Sequence, residues 1–293
     1  MLRAAAAVVA LALPVVVDAC DIFVGTLRAP SGSREDGGHL YCVDVASGSS
    51  RFIGRILVDG AQPIGITAMA FHPHTNVLYG ITSGLNDAKR TSLLTIDAAT
   101  GEARVVARLS RPLSDISFAP DGRLFGWTLN TSQLALVDTG NGSVSTIGHA
   151  GEAPIGGAFA IDSRGNAYVA PWSAEGRLDR IDLALGTTVS AAPISSVDLT
   201  SLRAMAFSGT GELLATQSVR TSKSSSTLVR IDTETGKVNA IAAIPEDSEA
   251  IAVTTTHSLS RAEMLNGVAY AALAAMLLGL ASFKLRGRLI RSR

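Results

Sequence analysis

The stretch 228-LVRIDTETGKVNAIA-242 decides how the rest of the chain is read. An aliphatic run ends at Asp232, Gly236 follows four residues later, and a second aliphatic run leaves the turn. An aspartate carboxylate accepts nearby backbone N–H groups, and glycine takes a positive φ at little steric cost, so the pattern reads as a tight turn between two strands. It occurs four more times, in 40-LYCVDVASGSSRFIG-54, 93-LLTIDAATGEARVVA-107, 134-LALVDTGNGSVSTIG-148 and 178-LDRIDLALGTTVSAA-192. The turn pairs are Asp44 with Gly48, Asp97 with Gly101, Asp138 with Gly142, Asp182 with Gly186, and Asp232 with Gly236.

A second motif precedes four of these hairpins: 68-AMAFHPHTNVLYGI-81, 115-DISFAPDGRLFGWT-128, 158-AFAIDSRGNAYVAP-171 and 204-AMAFSGTGELLATQ-217. In each, a strand of small and apolar residues meets a polar turn and a second strand follows. A repeat is therefore four short strands in a meander, and the turn aspartates stand 53, 41, 44 and 50 residues apart. Four-stranded units at such periods are the signature of β-propeller blades. The remainder supplies one more unit. The run 250-AIAV-253 matches a first strand with nothing after it, and 21-DIFVGT-26 matches a second strand with nothing before it. The expected fold is an all-β, five-bladed β-propeller of four-stranded antiparallel blades over residues 20–257. The blades would be 67–109, 114–150, 157–194, 203–244, and 249–254 completed by 20–56.

The Ile-Asp-x-x-Thr-Gly hairpins (Ile96 to Gly101, Ile231 to Gly236) and the Ala-x-Ala-Phe-x-Pro-x-Thr-x-x-Leu-Tyr-Gly run (Ala68 to Gly80) resemble the bacterial extracytoplasmic propellers of the YVTN and lactonase-like group. The resemblance covers most of residues 20–257. It implies the propeller fold and leaves the chemistry open, because propellers host binding, hydrolysis and scaffolding alike. The commoner members of that group have seven blades, and this chain has sequence for five.

Both ends read as membrane signals. Residues 1–19 carry one cation, an apolar run from Ala4 to Val17 and Ala19 just before Cys20, as a signal peptide does. The run VDAC also resembles a bacterial lipobox, with Asp18 a poor fit, so Cys20 is either acylated or free to pair with Cys42 in an oxidising compartment. Residues 264–283 are uncharged and, as a helix, would span about 30 Å, the thickness of a bilayer core. The basic tail 284–293 carries five cations and should stay cytoplasmic. The expected topology is a single-pass membrane protein with the propeller at the cell surface or in the periplasm. Between the ends, residues 20–263 hold 19 cations against 24 anions, which argues against nucleic acid as a partner.

The stretch 71-FHPHTNVLYG-80 carries two histidines, His72 and His74, but its copies have Ala119, Asp162 and Ser208 where His72 stands. It reads as an exposed turn, and neither a metal nor another cofactor is expected. Strand alternation puts the Asp–Gly turns on one face of the ring. The long connections 27–39, 82–91, 172–177 and 218–226 fall on the other, the candidate binding face. At its centre the residues opening the innermost strands form an expected ring of Thr67, Asp115, Gly157, Arg203 and Glu249, with Trp127 and Trp172 near the same face. These groups could bind a cation, a sugar or a peptide terminus, or do acid–base work. No Gly-x-Ser-x-Gly elbow and no phosphate loop occurs. The first reading is a membrane-anchored binding or interaction module with a protein or glycan ligand. The alternative is a lactonase-like or glycan-processing hydrolase using Asp115, Arg203 and Glu249.

Overall fold

The computed structural model describes residues 20–28, 37–82, 91–149, 156–172, 176–193, 202–219 and 225–254. The signal segment 1–19, the apolar run 264–283, the tail 284–293 and the middle of each long connection lie outside the described residues. Among the described residues no helix is long and apolar enough to cross a membrane.

The chain opens with β1 (Ile22–Thr26), β2 (His39–Asp44) and β3 (Ser49–Arg55), then crosses through β4 (Leu57–Val58) and β5 (Gln62–Pro63). Four meanders follow. They are β6 (Ile66–Phe71), β7 (Leu78–Thr82), β8 (Ser92–Ile96) and β9 (Glu102–Arg108); β10 (Leu113–Phe118), β11 (Leu124–Thr128), β12 (Leu134–Val137) and β13 (Val144–Ile147); β14 (Gly157–Ile161), β15 (Ala167–Pro171), β16 (Arg177–Ile181) and β17 (Thr188–Pro193); and β18 (Leu202–Phe207), β19 (Leu213–Val219), β20 (Ser225–Ile231) and β21 (Val238–Ile244). The last strand, β22 (Ser248–Val253), pairs antiparallel with β1, so the fifth sheet has the order β22-β1-β2-β3. Five sheets thus form a five-bladed propeller. One differs from the expected four strands: β4 adds parallel to the outer edge of β9, and β5 follows, giving six. The addition covers a strand edge that would otherwise present unpaired amides.

The turn chemistry is the same in all five blades. The carbonyl of each turn aspartate accepts the N–H of the glycine four residues on, at 2.8–2.9 Å. Each Oδ1 accepts the N–H two residues on, at 2.7 Å in Asp97 and 2.8 Å in Asp44, and the glycines sit at φ of 67–83°. For the exposed Asp44 and Asp232, these bonds hold the carboxyl below the usual aspartate range. The largest cause is the Ser47 hydroxyl at Asp44 and the Thr235 amide at Asp232.

The core is five layers, one between each pair of neighbouring blades. Phe125, Trp127 and Leu134 meet Phe159 and Val169, for example, and Phe23 and Ala250 of the closing blade meet Met69 and Phe71 of the first. No blade buries a face without its neighbour, so the ring must close to be stable. At the closure Thr254 N–H donates to the Asp21 carbonyl and Leu27 N–H to the Asp247 carbonyl, both at 2.9 Å. A Cys20–Cys42 disulfide, with Cα atoms 5.6 Å apart, ties the start of β1 to β2.

Candidate functional site

Four of the five innermost strands carry a one-residue irregularity near their start, and it decides what faces the channel. The register skips Thr67 between Ile66 and Ala68, Ser114 between Leu113 and Asp115, and Arg203 between Leu202 and Ala204. On β22 it skips Glu249, because Thr26 faces Ser248 while Gly25 faces Ala250. The equivalent column is therefore Thr67, Ser114, Gly157, Arg203 and Glu249. Asp115 does not belong to the expected ring. It stands one place deeper, in a column otherwise filled by Ala68, Ala158, Ala204 and Ala250, all fully buried.

Asp115 is itself fully buried, and its carboxylate joins three blades. Oδ2 accepts the N–H of Phe159 (2.8 Å) and of Met205 (3.0 Å), and Oδ1 accepts the N–H of Ile116 (2.9 Å). Strands that line the channel present one row of N–H groups away from their own sheet, and a buried N–H without an acceptor is costly. A five-bladed channel is narrow enough for one short side chain on β10 to reach amides on both β14 and β18. Burial pushes the Asp115 carboxyl well above the usual aspartate range, with the three amides pulling the other way. Just above it, Ser114 Oγ lies 2.8 Å from the Gly157 carbonyl oxygen and accepts the Gly157 N–H at 3.1 Å, a second link from β10 to β14.

The channel mouth holds a different group. Arg203 and Glu249 form an ion pair at 3.7 Å, with side chains 11% and 14% exposed. The Arg203 guanidinium lies 5.8 Å from the Trp172 ring centroid, within cation–π range. Trp172 Nε1–H donates to the Leu202 carbonyl at 2.6 Å, which fixes the ring beside β18. Thr67 is half-buried and its hydroxyl donates to the Ile81 carbonyl at 3.2 Å. Trp172, Arg203 and Glu249 are thus assembled across three blades, with Thr67 at the matching place on a fourth. The carboxylates of Asp115 and Glu249 do not form a pair.

Trp127 is 5% exposed and stacks on Phe159 between two blades, with centroids 6.4 Å apart. It is a packing residue, and its Nε1–H has no partner among the described residues. On the blade face across that layer lies Asp179, a buried carboxylate that the sequence reading passed over. Its Oδ2 takes Arg177 Nε at 2.9 Å while Oδ1 has no hydrogen-bond partner among the described residues, and burial pushes its carboxyl up against the pull of Arg177. Its signal was an aspartate three places before the turn aspartate in 178-LDRID-182, where the other copies carry Tyr41, Leu94, Ala135 and Val229. At the opposite face, His72 Nδ1 accepts the N–H of His74 (3.2 Å) and Thr75 (3.3 Å). That is the service Asp162 and Ser208 oxygens perform in the matching turns. Among the described residues no group of three histidines, cysteines or carboxylates could hold a metal.

No family model and no curated protein matches the chain. Solved structures of the same fold include TolB from Acinetobacter baumannii, with a TM-score of 0.50 and 17% identity over 78% of this chain and 54% of TolB. A protein of unknown function from Bacteroides caccae gives 0.50 and 11%, covering 81% of this chain and all of the other. A chain in a nidogen/laminin complex gives 0.50 and 12%, covering 80% and 97%. This chain spans about half the length of TolB, and at these identities the likeness is one of fold: the protein is a five-bladed β-propeller.

Proposed function

We propose that the protein is a membrane-anchored, extracytoplasmic binding module that recognises a protein or glycan through the long-loop face of its propeller. Residues 1–19 direct export, residues 264–283 anchor the chain, and the tail 284–293 stays inside. The Cys20–Cys42 disulfide fits an oxidising compartment and leaves Cys20 no thiol to acylate. The observation that carries the functional reading is the commitment of the channel's carboxylates. Asp115 is held by three backbone amides and Glu249 pairs with Arg203, so the two carboxylates of the hydrolase alternative are not joined over a shared substrate position. Recognition then falls to the connections 27–39, 82–91, 172–177 and 218–226, with Trp172, Arg203, Glu249 and Thr67 at the centre of that face. Asp115 and Trp127 act as scaffold. One of the similar structures is a complex of two proteins, nidogen and laminin, which is in keeping with such a role.

The test is to probe arrays of peptides and glycans with the full chain in detergent, alongside versions with the 27–39 and 82–91 connections shortened. The expected result is a set of hits lost on shortening, with thermal stability unchanged. Hits that survive shortening, or release of cleaved product from a bound glycan or lactone, would overturn the reading.

A further inference from the structure

A recess of about 530 Å³ opens on the short-turn face between the β14–β17 and β18–β21 blades, opposite the long loops. Tyr168 and Phe207 contribute adjacent rings, with centroids 5.5 Å apart, and Arg164 and Arg180 reach it from the first-to-second turn and the third strand. Arg180 is the cross-strand neighbour of Tyr168, so its side chain leaves the same face of the blade.

The neighbouring blade provides an internal control. Arg230 on β20 holds the same place as Arg180 on β16, two residues before the turn aspartate. Arg230 has its counter-ion at hand, since Nε lies 3.0 Å from Glu212 Oε1. The residue matching Glu212 in the other blade is Asn166, whose Nδ2 donates instead to Asp162 Oδ2 at 2.8 Å. Among the described residues Arg180 has no acidic partner. Two carboxylates also border the recess. That of Asp162 is spent on the N–H groups of Arg164 and Asn166 and on the Asn166 amide, and that of Glu234 stands exposed on a turn. A guanidinium without its counter-ion, next to aromatic rings, matches a ligand that carries a carboxylate on a flat apolar ring face. The hydroxyls of Ser163, Ser190 and Thr210 border the same space and can meet the hydroxyls of a sugar.

We propose that this recess binds an acidic saccharide, with its carboxylate on Arg180, assisted by Arg164, and its ring against Tyr168 and Phe207. This site is separate from the long-loop face and does not depend on that reading.

The test titrates the full chain in detergent with glucuronate, glucose and acetate at low salt. Glucuronate is expected to saturate in the millimolar range and to bind about tenfold or more tightly than either glucose or acetate. Arg180→Gln should weaken it about tenfold. Asn166→Glu should do the same by supplying the internal counter-ion that Glu212 gives Arg230. Arg230→Gln should leave binding unchanged. Thermal melts establish that each variant is folded, and if Arg180→Gln unfolds, Asn166→Glu decides alone. Absence of glucuronate binding, glucose or acetate binding as tightly, or full binding by a folded Asn166→Glu or Arg180→Gln protein would each overturn the proposal.

Discussion

At Asp115, one side chain does for the channel what alanine does in the other four blades, and adds an acceptor. Its column reads Ala68, Asp115, Ala158, Ala204 and Ala250, and the carboxylate gathers amides from β10, β14 and β18. Asp115→Ala restores the repeat but strips the Phe159 and Met205 amides of their acceptor, which should cost about 2 kcal/mol or more in urea unfolding. Asp115→Asn keeps one oxygen for both amides and should cost less. The two variants also differ from the parent in pH dependence. Burial makes the folded state hold the Asp115 proton more tightly than the unfolded chain. Its contribution is therefore complete below the ordinary aspartate range, declines as pH rises through the folded value, and is level above that. Asp115→Asn should abolish this decline, and parallel stability–pH curves for the two proteins would show that Asp115 does not titrate this way. The alanine column was present in the repeated A-x-A-F motif. The expected ring mixed two columns: aligned on 68-AMAF-71, the motif sets Asp115 level with Ala68, Ala158 and Ala204, and Ser114 level with Thr67, Gly157 and Arg203.

The four-stranded meander is the element most plainly written in the chain, because each Asp–Gly turn is fixed by its own local bonds and needs nothing from the rest of the fold. Strands of two residues have no periodicity, and so β4 and β5 left no trace in the pattern. Their pairing needs β3 and the β8–β9 turn held close together. Gly54 on β3 shows how close that approach is, since a Cβ there would collide with the Thr100 carbonyl. Between the blades, aromatic content alone could not separate packing from binding: Trp127 is sealed between two sheets while Trp172 borders the mouth. Trp127→Ala should cost about 3–5 kcal/mol by opening a cavity in that layer. Trp127→Phe keeps the stacking partner of Phe159 and removes an N–H that has no acceptor among the described residues, so its cost should be much smaller. Chemical denaturation of both variants checks this, and similar losses would mean that the indole N–H has a partner.

On the scale of the whole molecule, the ring is closed by strands from opposite ends of the chain, and the disulfide fastens that blade. In the chain-entropy account a loop of this length is worth about 3 kcal/mol, so Cys42→Ser or reduction should lower stability by roughly that amount. The five-blade ring has two outer faces, one carrying the long connections and one the short turns. The blade count was legible because unmatched strands remained at both ends of the repeat. What the long connections do was not, since loops of irregular sequence carry no repeat against which to read them. The proposed function puts recognition on the long-loop face and leaves the channel as scaffold. The most direct measurement is the dissociation constant of the strongest array ligand for the parent chain, for Asp115→Asn and for the chain with shortened 27–39 and 82–91 connections. An unchanged value is expected for Asp115→Asn, and a loss of about tenfold or more on shortening the connections. An unchanged value on shortening, with the loss appearing in Asp115→Asn, would contradict the proposed function.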